Sequence, residues 1–362
     1  MAVPLFDTET PLAPLRAEIM ERLQAVVAGG QFVLGPEVRA FEAELAAYIG
    51  VRHVIGVANG TDALSIALRA LGVRPGDDVV VPSFTFYATA EAVAGIGARP
   101  VFCDVDEGTR NVTVQTVSAA LTVNTTAVIA VDLFGVPAPV PELRATLGLP
   151  VLEDAAQAAG ASLGERRAGA LGDAATFSFY PSKNLPCFGD GGAIATDDDD
   201  VAELVRALRF HGSRDKQTFQ YVGYNSRLDE LQAAILRVLL RELDGWSDGR
   251  RAGARAYLDA GLADHVTVPV VPAGAVPAWH LYAVTHPRAD ALLQALAAVG
   301  VQARAYYRVP LHRQPAMAPY LEGLAPLPVT EALAADNVAL PISPVFGAEQ
   351  AREVVAAIAR AV

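Results

Sequence analysis

Cysteine is scarce in this chain, and its two residues, Cys103 and Cys187, lie far apart in the sequence. Two such cysteines form neither a disulfide framework nor a zinc site, so we expect free thiols in a reducing cytoplasm. Long hydrophobic runs are also missing, because no stretch of about 18 apolar residues is present that would span a membrane. The N-terminus lacks the basic and apolar regions of a signal peptide. We therefore expect a cytoplasmic protein with no membrane partner.

Positive charge is in the minority, with 28 Lys and Arg against 40 Asp and Glu and a net charge of −12. A general nucleic-acid binder needs a basic surface, so we expect no nucleic-acid partner. An acidic protein repels anions at long range, and any anionic ligand must be held by local donors. The 52% of hydrophobic residues fits a large enzyme with a well-filled interior, and 362 residues predict about two domains.

Short apolar runs alternate with helical patterns over the first two-thirds of the chain. Strands that are apolar throughout and separated by helices predict an α/β fold, with a mostly parallel sheet covered on both faces. Such sheets bind ligands at the carboxyl ends of their strands. The predicted strands are residues 54–57, 79–81, 100–103, 127–132, 151–153, 175–179 and 193–196.

The pattern changes after about Asp229, where a long amphipathic helix is followed by shorter elements. We expect strands at 266–271 and 280–285 and helices at 290–299 and 350–358. This region predicts a smaller α/β domain, so that residues 1–245 form the large domain and residues 246–362 the small one. The acidic run 197–200 is read as a solvated turn, and no metal site is expected.

Lys183 lies among apolar, aromatic and glycine-rich neighbours. A lysine is usually a surface charge, but a desolvated lysine with a lowered pKa is what Schiff-base chemistry uses. Asp154 ends an apolar strand, where it either acts in a site or caps the following helix. Gln157, about one turn later, either reaches a ligand, caps the same segment or faces solvent.

A possible phosphate site lies where the first strand gives way to a helix. Gly60 permits close approach, Thr61 adds a hydroxyl, and the helix start offers unpaired N–H groups. Ser178 would add a second hydroxyl. Phe86 follows the second strand and either packs in the core or stacks on a ligand ring.

Pyridoxal phosphate (PLP) requires these same groups from a protein that binds it. Its aldehyde needs a lysine, its ring nitrogen a carboxylate, and its phosphate a helix N-terminus with hydroxyl donors. The chain presents a phosphate helix, an aromatic residue, an acid, a serine and a lysine in that order. In the order of these residues and in the local sequence around them, the chain resembles the fold-type I PLP enzymes, and within them the DegT–StrS sugar aminotransferases. The resemblance runs from about residue 32 to 341, and the matching segments are 56–64, 81–86, 153–157, 177–184 and 223–228.

The resemblance implies a role for each candidate residue. Lys183 and Asp154 are implied as the catalytic pair, with Lys183 bound to PLP as a Schiff base and Asp154 on the pyridine nitrogen. Asn225 is implied to reach the cofactor phosphate of a neighbouring subunit, in a homodimer with shared active sites; on the residues alone it is a turn residue. The other implied cofactor contacts are Gln157 at the phenolic oxygen, Phe86 on the ring face, and Gly60, Thr61 and Ser178 on the phosphate.

The resemblance also implies the reaction, in which an amino group moves from L-glutamate to a nucleotide-diphosphate keto sugar. The local sequence around Lys183 favours a 3-keto sugar as the amino acceptor. A 4-keto sugar or a keto-inositol is an alternative acceptor. Arg227, Tyr306, Tyr307 and Arg308 are the implied substrate residues. Tyr306, Tyr307 and Arg308 stand where similar enzymes often have His-Tyr-Pro, and Arg308 either binds a substrate anion or lies on the surface.

Two rival functions share the fold. Sugar deoxygenation is disfavoured, because relatives of that type replace the Schiff-base lysine with histidine whereas this chain has Lys183. A non-catalytic regulatory protein is the alternative from another class, and it predicts no bound PLP and no amino transfer.

Overall fold

The computed structural model describes residues 3–361, and its strands are short and buried for the most part. They are β1 (His53–Val57), β2 (Asp78–Pro82), β3 (Arg99–Cys103), β4 (Thr125–Val131), β5 (Val151–Asp154), β6 (Ser162–Leu163), β7 (Arg166–Arg167), β8 (Ala174–Ser178), β9 (Gly192–Thr196), β10 (Ala275–Val276), β11 (Tyr282–Thr285) and β12 (Asn337–Leu340).

The helices surround these strands. They are α1 (Glu9–Leu12), α2 (Arg16–Gly29), α3 (Pro36–Ile49), α4 (Gly60–Ala70), α5 (Ala88–Gly95), α6 (Val114–Ser118), α7 (Val140–Leu147), α8 (Asp199–Leu208), α9 (Glu230–Leu240), α10 (Leu243–Asp259), α11 (Ala289–Ala298), α12 (Pro328–Asp336) and α13 (Ala348–Ala359). No helix in residues 3–361 combines the length and apolar character needed to cross a bilayer.

Seven strands form the main sheet in the order β1-β9-β8-β5-β4-β2-β3. The five strands from β8 to β3 run parallel, and β9 is antiparallel to both of its neighbours. The prediction of a mostly parallel α/β sheet is therefore confirmed. The seven strands predicted in the first two-thirds of the chain match the strands of this sheet to within two residues at each end.

Both faces of this sheet are covered. Alternate residues of a strand point to opposite sides of the sheet, and on β9 they join different hydrophobic clusters. On β9, Ile194 joins the hydrophobic cluster that includes α4, α5 and α8. Its neighbours Ala193 and Ala195 join a second cluster, which includes residues of α2, α3 and α9. The apolar strands of the sequence follow from burial on both sides.

A third cluster joins the antiparallel pair β11–β12 to α10, α11 and α13. This cluster fits a smaller C-terminal unit. However, α10 runs without interruption across residue 246, and some C-terminal residues, including Leu281 and Leu333, pack into the core of the large sheet. The boundary between a large and a small domain at residue 245 therefore stays a prediction, and α10 is the helix that crosses it.

One strand prediction was wrong. Residues 266–271 form no strand and make only an isolated bridge, from Thr267 to Thr285. Val270 and Val271 are 54% and 40% exposed, so the apolar run lacks the second partner that a buried strand needs. The other three elements predicted in this region are present as β11, α11 and α13.

Candidate active site

A cavity of about 890 Å³ opens at the carboxyl ends of the parallel strands, where ligands bind in sheets of this type. It brings together residues that are far apart in the sequence. Its lining includes nine of the predicted residues, namely Gly60, Thr61, Phe86, Asp154, Gln157, Ser178, Lys183, Tyr306 and Tyr307.

Lys183 lies in the turn that follows β8, where its backbone N–H donates to the Tyr180 carbonyl oxygen at 2.8 Å. Burial lowers the pKa of the Lys183 amine to about 8, and the charge of Asp154 acts in the opposite direction. A lysine amine that is partly uncharged near neutral pH is able to attack an aldehyde and to accept a proton.

Asp154 is the last residue of β5 and is 5% exposed. Burial raises the pKa of its carboxyl, whereas hydrogen bonds and the Lys183 charge lower it. The donors are the Ala156 N–H and the Thr89 hydroxyl, each at 3.2 Å. A buried carboxylate that a cation and two donors support is a suitable partner for a protonated ring nitrogen.

The predicted phosphate site is the N-terminus of α4. The Asn59 side chain accepts the Asp62 N–H at 2.8 Å and so caps the helix, which leaves N–H groups of the first turn without partners inside the helix. Gly60 packs tightly on Ser178, since a Cβ at position 60 would lie 2.8 Å from the Ser178 Cβ. Thr61 and Ser178 both line the cavity at this helix end, an arrangement suited to an anion.

Gln157 is fixed by contacts at both ends of its amide. Its Oε1 accepts the Phe134 N–H at 2.7 Å, and its Nε2 donates to the Tyr307 hydroxyl at 3.1 Å. The Tyr307 ring lies parallel to Phe134, with centroids 6.4 Å apart, and its centroid is 6.0 Å from that of Phe86. Burial raises the pKa of the Tyr307 hydroxyl, which is therefore a neutral group facing the cavity.

Three predicted residues do not reach this cavity from their own chain. Asn225 is exposed, and its Oδ1 accepts a hydrogen bond from the guanidinium of Arg227. Arg308 pairs with Asp290 and donates to the Ala335 carbonyl oxygen. The structure thus places Arg308 against α11, and its role as a substrate contact stays a prediction.

Three further lining residues were missed by the sequence analysis. Thr89 binds Asp154, whereas the Thr85 Oγ1 and the His280 Nδ1 are buried without a hydrogen-bond partner in residues 3–361. Thr85 is adjacent to the predicted Phe86, and this proximity was the one signal available for it. His280 follows no motif that marks a site, and only the fold brings it to Lys183.

The residues present fit PLP. The cavity is of a size usual for ligand sites and contains a lysine of lowered pKa, a buried carboxyl, a helix N-terminus with two hydroxyls, and an exposed aromatic face. The unpartnered Thr85 hydroxyl fits as well, because buried polar groups without partners are rare unless a ligand or water binds them. In residues 3–361 no cluster of three or more His, Cys, Asp or Glu is placed to hold a metal ion.

Three curated relatives match nearly the whole chain. A UDP-N-acetyl-3-dehydro-alpha-D-glucosamine 3-aminotransferase of Acidithiobacillus ferrooxidans is 42% identical, over 99% of this chain and 98% of its own. A dTDP-3-amino-3,4,6-trideoxy-alpha-D-glucose transaminase of Streptomyces venezuelae is 44% identical, over 98% and 95%. A protein of Geobacillus stearothermophilus named pleiotropic regulatory protein is also 44% identical, over 99% and 98%.

Solved structures agree with these matches. An aminotransferase of Brucella abortus superposes with a TM-score of 0.95 at 40% identity, covering 99% of this chain and 98% of its own. DesV of S. venezuelae superposes with a TM-score of 0.94 at 43% identity, with the same coverage. The model of the DegT/DnrJ/EryC1/StrS aminotransferase family matches residues 14–359. The chain therefore belongs to the DegT/DnrJ/EryC1/StrS aminotransferase family, whose enzymes are PLP-dependent sugar aminotransferases.

Proposed function

We propose that this chain moves the amino group of L-glutamate to the 3-keto carbon of a nucleotide-diphosphate sugar, with Lys183 and Asp154 as its catalytic residues. One observation carries the proposal, namely that a lysine of lowered pKa and a buried carboxyl share one cavity with the N-terminus of α4. These parts come from separate strands and helices, so their convergence is difficult to explain by packing alone.

PLP supplies an electron sink for the carbanion that forms when the amino donor loses its α-proton. In the proposal, Lys183 would hold the cofactor aldehyde and Asp154 would keep the ring nitrogen protonated. Gln157 would contact the phenolic oxygen through its amide, and Phe86 would cover one ring face. The first turn of α4 would hold the phosphate, with the hydroxyls of Thr61 and Ser178 and the close approach that Gly60 permits.

Lys183 also serves as the proton carrier. When not bound to the cofactor, its amine would take up the proton that the donor α-carbon loses. A base with a pKa of about 8 is close to neutral pH, where proton transfer is most effective. Its fixed place in the turn after β8 adds a positional advantage.

The 3-keto position is supported by the names of relatives. Two enzymes at 42% and 44% identity are named for amination at sugar carbon 3. Tyr306 and Tyr307 line the cavity and are the proposed sugar contacts. Their hydroxyl groups are able to hydrogen-bond a sugar ring.

A panel of acceptors tests this proposal. The pyridoxamine form of the enzyme is incubated with 3-keto and 4-keto nucleotide sugars and with a keto-inositol, and the amino product is measured by mass spectrometry. We expect kcat/KM for a 3-keto nucleotide sugar to exceed kcat/KM for the other acceptors by about 100-fold or more. The reason is that the carbonyl carbon of the other acceptors does not lie where the amino group is transferred. Faster amination of a 4-keto sugar or of the inositol would replace the 3-keto assignment.

The charges of the cavity support a homodimer with shared active sites. The described lining contains four acidic residues and one lysine, although both PLP and a nucleotide diphosphate carry negative phosphates. Among the described residues of one subunit, Lys183 is thus the only lysine or arginine that lines the cavity, and in the proposal its amine is bound to the cofactor aldehyde. Asn225 and Arg227 form an adjacent pair away from their own cavity, and exposed apolar side chains lie nearby at Phe219 and Val222. We place this pair in the neighbouring subunit's site, with Asn225 at the cofactor phosphate and Arg227 at the substrate.

Mixing two inactive variants checks this arrangement. Lys183→Ala lacks the lysine, and Asn225→Asp places a negative charge beside the phosphate. When the two are co-expressed with different tags, the mixed dimer contains one site with both native residues. We expect it to recover up to about half of the parent activity at limiting PLP, since one of its two sites is intact. No recovery in the purified mixed dimer would mean that Asn225 acts within its own chain.

The regulatory alternative is not favoured. The G. stearothermophilus relative carries a regulatory name, but this chain retains the full set of residues that PLP chemistry needs. We keep the cytoplasm as the proposed location, because the two cysteines are buried, free thiols of the kind that persist in reducing compartments.

A further inference from the structure

Residues 306–312, here called the acceptor loop, form one wall of the active-site cavity. The loop carries Tyr306 and Tyr307, which line the cavity and are the proposed sugar contacts. Residues 306–310 belong to no helix or strand, so the hydrogen bonds of regular structure do not hold them. The positions of the two rings therefore depend on the contacts that the loop makes with other elements.

One such contact holds the beginning of the acceptor loop. The Tyr306 N–H donates to the Asn337 Oδ1 at 2.6 Å. Asn337 follows α12 directly, and its Nδ2 donates to the carbonyl oxygens of Leu333 at 2.7 Å and Ala334 at 3.2 Å. The buried amide is thus used at both ends, and the last turn of α12 fixes the loop at Tyr306.

His312 holds the other end of the acceptor loop. Its Nε2 lies 2.8 Å from the Oε1 of Glu331, which is in the first turn of α12. Its Nδ1 lies 2.6 Å from the Ser83 Oγ. A carboxylate only accepts, so Nε2 donates to Glu331, and in the neutral imidazole Nδ1 then accepts the Ser83 hydroxyl. Ser83 and His312 are both buried, so this chain of hydrogen bonds runs from the interior to α12.

Ser83 is a firm support because the main sheet also holds it. It follows β2 directly, and its N–H donates to the Cys103 carbonyl oxygen at 3.0 Å. Its own carbonyl oxygen accepts the Leu311 N–H at 3.0 Å, and its Oγ accepts the His312 N–H at 3.3 Å. Three hydrogen bonds therefore join residues 311–312 to this serine.

The first turn of α12 is fixed to the main sheet as well. Asp104, which follows β3 directly, accepts the N–H groups of Val329 at 3.1 Å and Thr330 at 2.7 Å, and the Thr330 hydroxyl at 2.7 Å. The hydrogen bond from His312 lowers the pKa of the adjacent Glu331 carboxyl, which is therefore an anion at neutral pH. The acceptor loop is thus bonded at both ends to a helix that the sheet holds in place.

We propose that His312 is a positioning residue for the amino acceptor. It fixes the acceptor loop between Ser83 and Glu331, and so keeps the rings of Tyr306 and Tyr307 where the keto sugar binds. His312 is not in the described lining of the cavity, so it acts through the loop. This inference rests on the proposed function, in which the two tyrosines contact the sugar.

The first test measures the acceptor loop itself, in the full-length protein without added ligand. Amide hydrogen–deuterium exchange is followed by mass spectrometry on peptides that cover residues 304–313. His312→Ala removes both side-chain hydrogen bonds, and the exchange rate of these peptides is expected to rise by about tenfold or more. His312→Asn retains a group that is able to accept from Ser83, and its rate is expected to lie between those of parent and alanine variant. Unchanged exchange in His312→Ala overturns the proposal.

The second test separates the two half-reactions. In His312→Ala, kcat/KM for the keto acceptor that the panel selects is expected to fall by about 10- to 100-fold, mainly through a higher KM. For glutamate, kcat/KM is expected to change by less than about twofold, because Gln157 retains its own bond to the Phe134 N–H and the donor does not need the sugar contacts. Ser83→Ala removes one of the two bonds and should give a smaller loss. An equal loss for glutamate would show a general structural role and would overturn the proposal.

His286→Asn is the matched control for these variants. The His286 Nδ1 accepts the Arg288 N–H at 3.0 Å, and the residue is outside the described lining of the cavity. It should behave as the parent in both tests. If it changed the acceptor KM as far as His312→Asn does, the effect would not be specific to the acceptor loop, and the proposal would be wrong.

The two levels of inference fail in different ways. If the unaltered holoenzyme moves no amino group to any acceptor of the panel, the proposed function falls and the role of His312 falls with it. If the unaltered enzyme transfers the group and the His312 variants match it in both tests, only the role of His312 is overturned.

Discussion

Lys183→Ala is expected to lose both the visible absorbance of the lysine-bound cofactor and all measurable amino transfer, a fall of about four orders of magnitude or more. The change removes the amine that binds the aldehyde and carries the proton. The cavity remains, with its helix N-terminus and hydroxyls, so the variant should still bind PLP without a covalent link. Absorbance spectra and a coupled glutamate assay give the two measurements.

Lys216→Ala is the matched control for this variant. Lys216 is exposed, with its amine 4.8 Å from the centre of the Phe210 ring. Its removal is expected to leave the covalent link intact. Transamination that persists in Lys183→Ala would show that another group carries the proton, and the assignment of Lys183 would be wrong.

Asp154→Asn is the second variant of large effect. The amide has nearly the same shape as the carboxyl and is expected to preserve the fold and the binding of PLP. It lacks the negative charge that keeps the ring nitrogen protonated, so the electron sink weakens. We expect kcat to fall by about 10²- to 10⁴-fold, with the isotope effect from α-deuterated glutamate larger than in the parent.

Asp173→Asn is a suitable control for this change. Asp173 lies at the opposite end of β5, where it accepts the Val151 N–H at 2.9 Å and pairs with Arg144. Its substitution is expected to lower thermal stability and to leave the isotope effect unchanged. If Asp154→Asn matched the parent in rate, a group other than Asp154 would have to be the partner of the ring nitrogen.

The sequence was a good guide to the sheet and to the residues that follow its strands. Apolar runs such as 151–153 are predictable because burial on both faces excludes polar residues. The ends of those runs then mark Asp154 and Ser178, since the carboxyl ends of parallel strands meet at one edge. The helix that begins after the first strand was predictable from its apolar spacing in the same way.

Contacts between segments that are distant in the sequence could not be predicted in this way. His280 lies beside Lys183 only because β11 packs next to the large sheet, and Phe6 reaches it from the other end of the chain. Residues 266–271 have the composition of a strand but lack a continuous partner. Arg308 was a candidate for a substrate anion because its basic character is visible in sequence, whereas its pairing with Asp290 depends on the position of α11.

The central claim is that the amine of Lys183 binds PLP covalently. The most direct measurement treats the unaltered protein with PLP, reduces it with borohydride and maps the modified peptide by mass spectrometry. Because the chain contains only two lysines, we predict one phosphopyridoxyl group on the peptide that contains Lys183 and none on the peptide that contains Lys216. An unmodified Lys183 peptide after complete reduction would contradict the account.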